Sequence, residues 1–305
     1  MDIDGILLVN KPYGLTSNAV LQQVKHLFHA KKAGHTGSLD PMATGMLPIC
    51  FGEATKFCQY LLDADKCYEV TGLLGIKTNT GDAMGEVIAR ATNFVTVPED
   101  VLQAVLGLFI GNIKQVPSMF SALKHQGTPL YKLARAGLEI PREARDVSIH
   151  RLQLNQFDGR QISLTVSCSK GTYIRNLIED IGEQLGSGAH VTRLHRLYTL
   201  GFAEEKMYTV NDLRLMTPEA RTSCLLPMDR AVSYLPQLII SPDEAHALCQ
   251  GRTINKLEAS EITGCTRLYA NGQFIGLGDM QDAGLLKAKR LLAKDRERNN
   301  FLFSE

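Results

Sequence analysis

QISLTVSCSKGTYIRNLIEDIGEQLG, residues 161–186, changes its hydrophobic period midway. Ile162, Leu164, Val166 and Cys168 recur every second residue, which places them on one face of a strand. Ile174, Leu177, Ile178, Ile181 and Leu185 then recur every three to four, the stripe of an amphipathic helix. The join falls at Lys170 to Thr172. Arg175 breaks the pattern, because it sits in the first helical turn, where the macrodipole disfavours a cation. Two partners could hold it. One is Glu179 a turn later, in a pair worth about 0.2–0.5 kcal/mol. The other is a buried carboxylate from another segment, whose pKa the guanidinium would lower.

A carboxylate with suitable surroundings lies in AGHTGSLDPMATGMLP, residues 33–48, where Asp40 is the lone acid. Asp before Pro is a good N-cap and first-turn pair, so Met42 to Thr44 could be a short helical turn and Asp40 only its cap. The second reading is a ligand-facing acid. Gly34, Gly37 and Gly45 let backbone approach a ligand closely, and His35, Lys31 and Lys32 add polar and cationic reach.

Outward from these segments, ILLV (6–9), KPYGLTS and NAVLQQVKHLFHA read as strand, turn and helix, with Ser17 as N-cap. ICF after Pro48 is strand-like, EATKFCQYLL helical, and CYEVTGLLG a strand with Tyr68 and Val70 on one face. IKTNTGDAMGE (76–86) reads as a loop, and a helix begins near Pro98. Residues 115–145 form a mobile basic excursion, rich in Lys, Arg and His with Phe120 and Tyr131 interspersed. Pro227 and Pro236 bracket a boundary near residue 237, followed by short strands such as TRLYA and QFIGLG.

Composition narrows the class. The 305 residues are 44% hydrophobic and 21% charged, as in ordinary globular proteins, and 33 Lys and Arg against 32 Asp and Glu leave net charge uninformative about partners. No apolar run reaches bilayer length, and the N-terminus carries acids where a signal peptide carries positive charge, so the expected compartment is the cytoplasm. The seven cysteines never form C-x-x-C, and His26 and His29 lack companions for a tetrahedral site, so no disulfide framework or metal is expected. No P-loop or dinucleotide fingerprint occurs. Lys11, Lys31, Lys32, Lys124, Lys132 and Arg135, several in loops beside aromatics, suit a phosphate backbone with stacked bases.

The motifs LLVNKPYGLTSN, GHTGSLDPMATGMLPICFGEATKF, DKCYEV, GIKTNTGDAMGE, QVPSMFSALKHQGTPLYKLAR, IPREAR, CSKGTYIRNLIEDIG, GAHVTRLHR and LLPMDRAV follow one another along nearly the whole chain. In this series the chain resembles the TruB family of tRNA pseudouridine-55 synthases, of the bacterial stand-alone type. The resemblance implies an α+β pseudouridine synthase fold on a mainly antiparallel mixed sheet. It implies a catalytic domain over residues 1–237, with the 115–145 insertion closing over RNA, and a PUA-like RNA-binding domain over 238–305. It further implies cofactor-free isomerisation of uridine in the T loop of tRNA, by base flipping, with Asp40 as covalent nucleophile. Tyr68 would stack on the everted uracil, and Arg175 would pair with Asp40. His35, Tyr173 and Leu194 match substrate-site positions, while Lys11 and Asp82 fall in further motif loops and are expected at the substrate too. Lys31, Lys32, Lys124 and Arg135 would contact the RNA backbone. The expected partner is tRNA alone, bound by a monomer without guide RNA, metal or membrane. Two rivals remain at this point: a catalytically idle tRNA-binding or tRNA-folding protein, and a guide-RNA-dependent pseudouridine synthase. The basic tail KAKRLLAKDRERNN departs from the forms the family leads one to expect.

Overall fold

The structure is a computed structural model that describes residues 3–92, 94–259 and 261–293. The second half of the basic tail, residues 294–300, therefore lies outside the described residues. The chain opens with β1 (Gly5–Lys11), α1 (Ser17–Leu27), the short β2 (Ala33–His35) and β3 (Thr44–Phe51). Next come α2 (Cys58–Asp63), β4 (Lys66–Leu74), the ribbon β5 (Ile76–Thr78) and β6 (Val87–Arg90), α3 (Glu99–Gly107) and β7 (Gly111–Gln115). A two-stranded ribbon, β8 (Lys124–His125) with β9 (Thr128–Pro129), and α4 (Leu130–Arg135) precede β10 (Arg145–Phe157), β11 (Gln161–Cys168), α5 (Ile174–Gln184) and β12 (Ala189–Thr199).

The main sheet runs β1-β3-β12-β4-β11-β10-β7, with β2 added to β3. All its pairings are antiparallel except β3 with β12, where His195 faces Thr44 and Arg196 faces Gly45. The mixed, mainly antiparallel α+β architecture expected from the sequence is present. The apolar stripe of α5 (Ile174, Leu177, Ile178, Ile181) covers Val70, Ile162, Leu164 and Val166, and α3 adds Leu102 and Leu106 to the same core. This is why the period change at residue 170 is so sharp: each period buries its own stripe against the other. A second core joins α1 to β1 and β3 through Val20, Val24, Phe28, Leu7, Leu47 and Ile49.

At the parallel junction the strands approach so closely that Gly45 is required. Its φ is +100°, and a Cβ there would lie 2.7 Å from the backbone nitrogen of Arg196. Gly45→Ala is expected to cost about 3 kcal/mol through overpacking and left-handed strain, read as a lower denaturant midpoint with unchanged m-value.

Four local expectations are corrected. The N-cap of α1 is Thr16, whose Oγ1 accepts from the Ala19 amide at 3.1 Å. Ser17 instead accepts from the Leu39 amide at 2.8 Å and donates to the Leu39 carbonyl at 3.1 Å. Asp40 caps no helix: the Ala43 amide returns to the Asp40 carbonyl at 3.0 Å, closing a single turn, and Thr44 already starts β3. The segment 76–86 is the tip of the β5–β6 ribbon and not a bare loop. Within 115–145, the β8–β9 ribbon and α4 give the excursion local order, with the Leu130 amide bonded to the Leu123 carbonyl at 2.7 Å.

After α6 (Val210–Leu215) and α7 (Pro218–Thr222), a second sheet starts at Gln237. It comprises β13 (Gln237–Ile239), β14 (Ile254–Asn255), β15 (Gly264–Ala270), β16 (Gln273–Gln281) and β17 (Leu285–Leu291) in the order β13-β15-β16-β17-β14, packed on α8 (Pro242–Cys249). Its Leu277 joins a core with Ile6, Phe57 and Phe202, and Phe274 packs on Phe57 with ring centroids 5.4 Å apart.

Candidate active site

Asp40 and Arg175 meet across 135 residues of sequence. The Nε of Arg175 lies 2.8 Å from one carboxylate oxygen of Asp40, and its Nη2 donates to the other at 3.2 Å. The rest of the fork is also engaged. Nη1 donates to the Thr80 carbonyl at 2.6 Å, Nη2 to the Phe120 carbonyl at 2.9 Å, and Nη1 lies 3.8 Å from Asp82. Arg175 is 4% exposed, whereas 35% of the Asp40 side chain remains exposed. The guanidinium is therefore claimed by Asp40 and Asp82 together with two carbonyls, which explains a cation in the first turn of α5 better than a pair with Glu179 does.

Electrostatics at Asp40 run against the simplest expectation. Burial pushes its carboxyl above the usual aspartate range; Arg175 pulls it down and Asp82 pushes it up again, with a net upward shift. Arg175 thus offsets a desolvation cost and does not produce an unusually acidic group.

Tyr68, on β4, is 9% exposed and shares the apolar cluster with Leu39, Met42, Val70 and Leu194. Burial raises its phenol pKa, and Arg196 opposes that rise. Leu194 lies directly across from Val70 on β12. Tyr173 stands at the N-cap of α5, its backbone clasped by Gln115: the amide donates to Oε1 at 2.8 Å, and the carbonyl accepts from Nε2 at 3.0 Å. Burial raises the Tyr173 phenol also, with Asp40 and Arg175 close enough to affect it. His35 ends β2, its Nδ1 buried without a hydrogen-bond partner among the described residues, and burial with the Arg196 charge holds its imidazole below the usual range.

Two further residues expected at the substrate, Lys11 and Asp82, are held by internal hydrogen bonds. Lys11 is fully buried, and its ammonium donates to the carbonyls of Pro12 (2.8 Å), Leu15 (2.5 Å) and Pro41 (3.3 Å). It ties the KPYGL turn to the residue after Asp40, and burial brings its pKa down to about 8. Asp82 is 5% exposed; its Oδ1 accepts from Thr80 Oγ1 at 2.8 Å and from the Met84 amide at 3.0 Å. It shapes the loop whose Thr80 carbonyl meets Arg175. Lys31, Lys32, Lys124 and Arg135 are exposed, Arg135 lying over the Tyr131 ring at 5.7 Å.

Sequence reasoning missed Arg196. Only 1% exposed, it faces Tyr68 directly across the β4–β12 pairing. Strand alternation could have found it, since it stands two residues beyond Leu194 and therefore on the same buried face.

Next to the site, Glu179 is pushed up to about 7 by burial, with Lys77 and Arg175 opposing. A carboxyl whose folded pKa exceeds its unfolded value withdraws stability as pH rises between the two, here from the ordinary glutamate range to about 7. Glu179→Gln is accordingly expected to raise Tm by about 2 °C at pH 8 and to leave it unchanged at pH 4.5, by differential scanning calorimetry.

A partly exposed carboxylate clamped by a buried arginine, with a buried tyrosine and an apolar cluster alongside, is an arrangement suited to nucleophilic catalysis. Comparison with known proteins narrows the class. Residues 25–174 match the TruB family pseudouridylate synthase N-terminal domain, residues 175–233 the tRNA pseudouridylate synthase B C-terminal domain, and residues 236–292 the Pseudouridine synthase II TruB C-terminal domain. The chain is 59% identical over 292 residues to tRNA pseudouridine synthase B of Legionella pneumophila strain Philadelphia 1, covering 95% of this chain and 96% of that one. It is 50% identical over 303 residues to tRNA pseudouridine synthase B of Tolumonas auensis, covering 95% and 93%. Among solved structures, a Cbf5-Nop10-Gar1 complex superposes with TM-score 0.69 at 26% identity, covering 92% of this chain and 79% of that chain. An H/ACA RNP bound to a substrate RNA containing 2′-deoxyuridine superposes with TM-score 0.71 at 23% identity, covering 95% and 85%, a likeness of fold. The chain belongs to the TruB family of pseudouridine synthases.

Proposed function

We propose that the chain isomerises the uridine at position 55 in the T loop of tRNA, with Asp40 as the covalent nucleophile and without a guide RNA. The observation that carries this reading is the Asp40 carboxylate, gripped at both oxygens by buried Arg175 yet still 35% exposed, with Tyr68 in the same apolar cluster as Leu39 and Met42 on either side of it in the chain. The tRNA substrate class comes from the names of the relatives.

A base inside a folded loop must leave its stack, at a cost of a few kcal/mol that pocket contacts offset. Tyr68 offers the extruded uracil a stacking face, and Leu194 with Leu39 gives it an apolar wall. His35, uncharged near neutral pH, fills the space the base vacates, and Tyr173 borders the opposite side. The glycosidic bond breaks, the uracil turns, and C5 bonds to the sugar carbon that N1 left; the C5 proton is lost and N1 gains one, so the product is an isomer. Water must be excluded while the base is detached. The 115–145 insertion serves as the cover, and its Phe120 carbonyl on Arg175 links closure to the nucleophile. Lys11 and Asp82 act as positioning residues for the Asp40 turn and for Arg175.

Lys31, Lys32, Lys124 and Arg135 take the phosphate backbone. The second sheet acts as a PUA-like RNA-binding module, its β17 presenting exposed Lys287, Lys289 and Arg290. The protein works as a monomer in the cytoplasm; among the described residues no helix is long and apolar enough to cross a membrane. Replacing both Lys124 and Arg135 by Ala is expected to lower the slope of log affinity against log salt by about 1 to 2, measured by filter binding.

The deciding experiment incubates the purified chain alone with an unmodified tRNA transcript and maps pseudouridine to its nucleotide. Conversion at position 55 supports the proposal. Conversion elsewhere refutes the T-loop assignment, a bound but unconverted transcript supports an idle binding protein, and conversion only with an added guide RNA refutes stand-alone action.

A further inference from the structure

Arg196 is a buried cation whose assigned contacts are carbonyls. Its Nε donates to the Met46 carbonyl at 2.6 Å and its Nη2 to the Gly37 carbonyl at 2.9 Å. Gly37 stands three residues before Asp40 and Met46 six after it, so one guanidinium spans both arms of the loop that presents the nucleophile. Its backbone adds two further ties, to Gly45 across the parallel junction and to Tyr68 across the antiparallel one. The guanidinium also comes near enough to the Tyr68 hydroxyl to interact with it. Both flanking glycines accommodate this arrangement. Gly37 has φ +76°, and a Cβ on it would lie 3.2 Å from Nη1; Gly45 leaves room for the Arg196 backbone.

Burying an arginine against carbonyls costs several kcal/mol that a leucine at the same place would avoid. Fixed geometry is what that cost returns, because the fork can hold two carbonyls and a phenol at once where a lysine's point charge cannot. We propose that Arg196 is a positioning residue of the isomerisation, the strut that sets the separation between the Asp40 carboxylate and the Tyr68 ring. The inference rests on the reading that these two groups flank the target uridine. It concerns a residue that touches neither the substrate nor the reacting atoms.

The test compares the wild type with Arg196→Lys, Arg196→Ala, Tyr68→Phe and the Arg196→Lys/Tyr68→Phe double variant. Single-turnover conversion of an unmodified tRNA transcript is measured at saturating enzyme, and tRNA affinity by filter binding. Since a displacement of about 1 Å can cost roughly 10²-fold in rate, Arg196→Ala is expected to lose about that factor and Arg196→Lys about tenfold, with affinity changed less than threefold. Methylguanidinium at millimolar concentration is expected to restore part of the Arg196→Ala rate and none of the losses in Tyr68→Phe. In the double variant the losses are expected to fall short of multiplying, because both changes disturb one separation. If Arg196→Ala does not fold, Gly37→Ala, whose new Cβ crowds Nη1, must show the same split between rate and affinity.

Wild-type rates in the Arg196 variants, affinity falling in step with rate, or fully multiplying losses would each overturn the proposal. If the wild-type chain leaves the transcript unconverted, it is the tRNA reading that fails and not the strut.

Discussion

Asp40→Asn is expected to abolish pseudouridine formation, by more than about 10⁴-fold in single-turnover rate, while leaving tRNA affinity within about threefold of wild type. The amide keeps the size of the carboxylate and one oxygen for the Arg175 fork, so the turn from Leu39 to Ala43 retains its Ser17 and Lys11 ties. What it loses is the negative charge that would make the oxygen nucleophilic enough to bond to the nucleoside. Losing the Asp40 charge also lessens repulsion toward RNA phosphates, which pushes affinity upward if at all. The measurement is conversion of an unmodified transcript alongside filter binding. Residual turnover above about 1% would remove Asp40 from the nucleophile's role and leave it as a partner of Arg175.

What the sequence disclosed, and what it hid, divides along physical lines. Alternation in 162–168 and the helical stripe from Ile174 to Leu185 were legible because each buries one clean face. Arg175 was legible as an anomaly for the opposite reason: a cation where the dipole repels it needs a partner, and Asp40 supplies one. The extent of β3 was not legible, since Gly45 and Pro48 are turn-like locally and become strand through pairing with β1. The internal partners of Lys11 and Asp82 were not legible, because a polar residue in a glycine-rich loop looks the same whether it meets a ligand or the loop's own carbonyls and amides. Only the fold shows that Lys11 is consumed by Pro12, Leu15 and Pro41. Arg196 stayed hidden among the neighbouring charges of TRLHR, where nothing local says which one points inward. The sign at Asp40 was hidden for a related reason: a partner's charge can be inferred from motifs, but the burial that outweighs it belongs to the packed structure.

Arg175→Met should be the most damaging single change to stability in the site and should move the acid limb of activity. The side chain is 4% exposed and answers two carboxylates, Asp40 at 2.8 Å and Asp82 at 3.8 Å, plus the carbonyls of Thr80 and Phe120. Removing one partner of a buried ion pair typically costs about 3–5 kcal/mol, and here the remaining carboxylates also repel each other. Asp40 already lies above its ordinary range, and losing the largest influence that lowers it sends the carboxyl higher still. A raised carboxyl is protonated to a higher pH, so if Asp40 acts as the anion proposed above, the variant's activity should begin to rise at a more alkaline pH than the wild type's. Stability should follow the opposite course, the folded variant losing ground as pH climbs through the raised Asp40 pKa and the buried charge appears. Arg175→Lys should rescue little, because one ammonium cannot replace a fork that serves two carboxylate oxygens and two carbonyls in fixed directions. The checks are denaturant midpoints at pH 5 and pH 8 and single-turnover rates across the same range. An acid limb in Arg175→Met that coincides with the wild type's would mean that the guanidinium positions Asp40 without governing its ionisation. A stability deficit that shrinks with rising pH would contradict the assignment of Asp40 as the group left uncompensated.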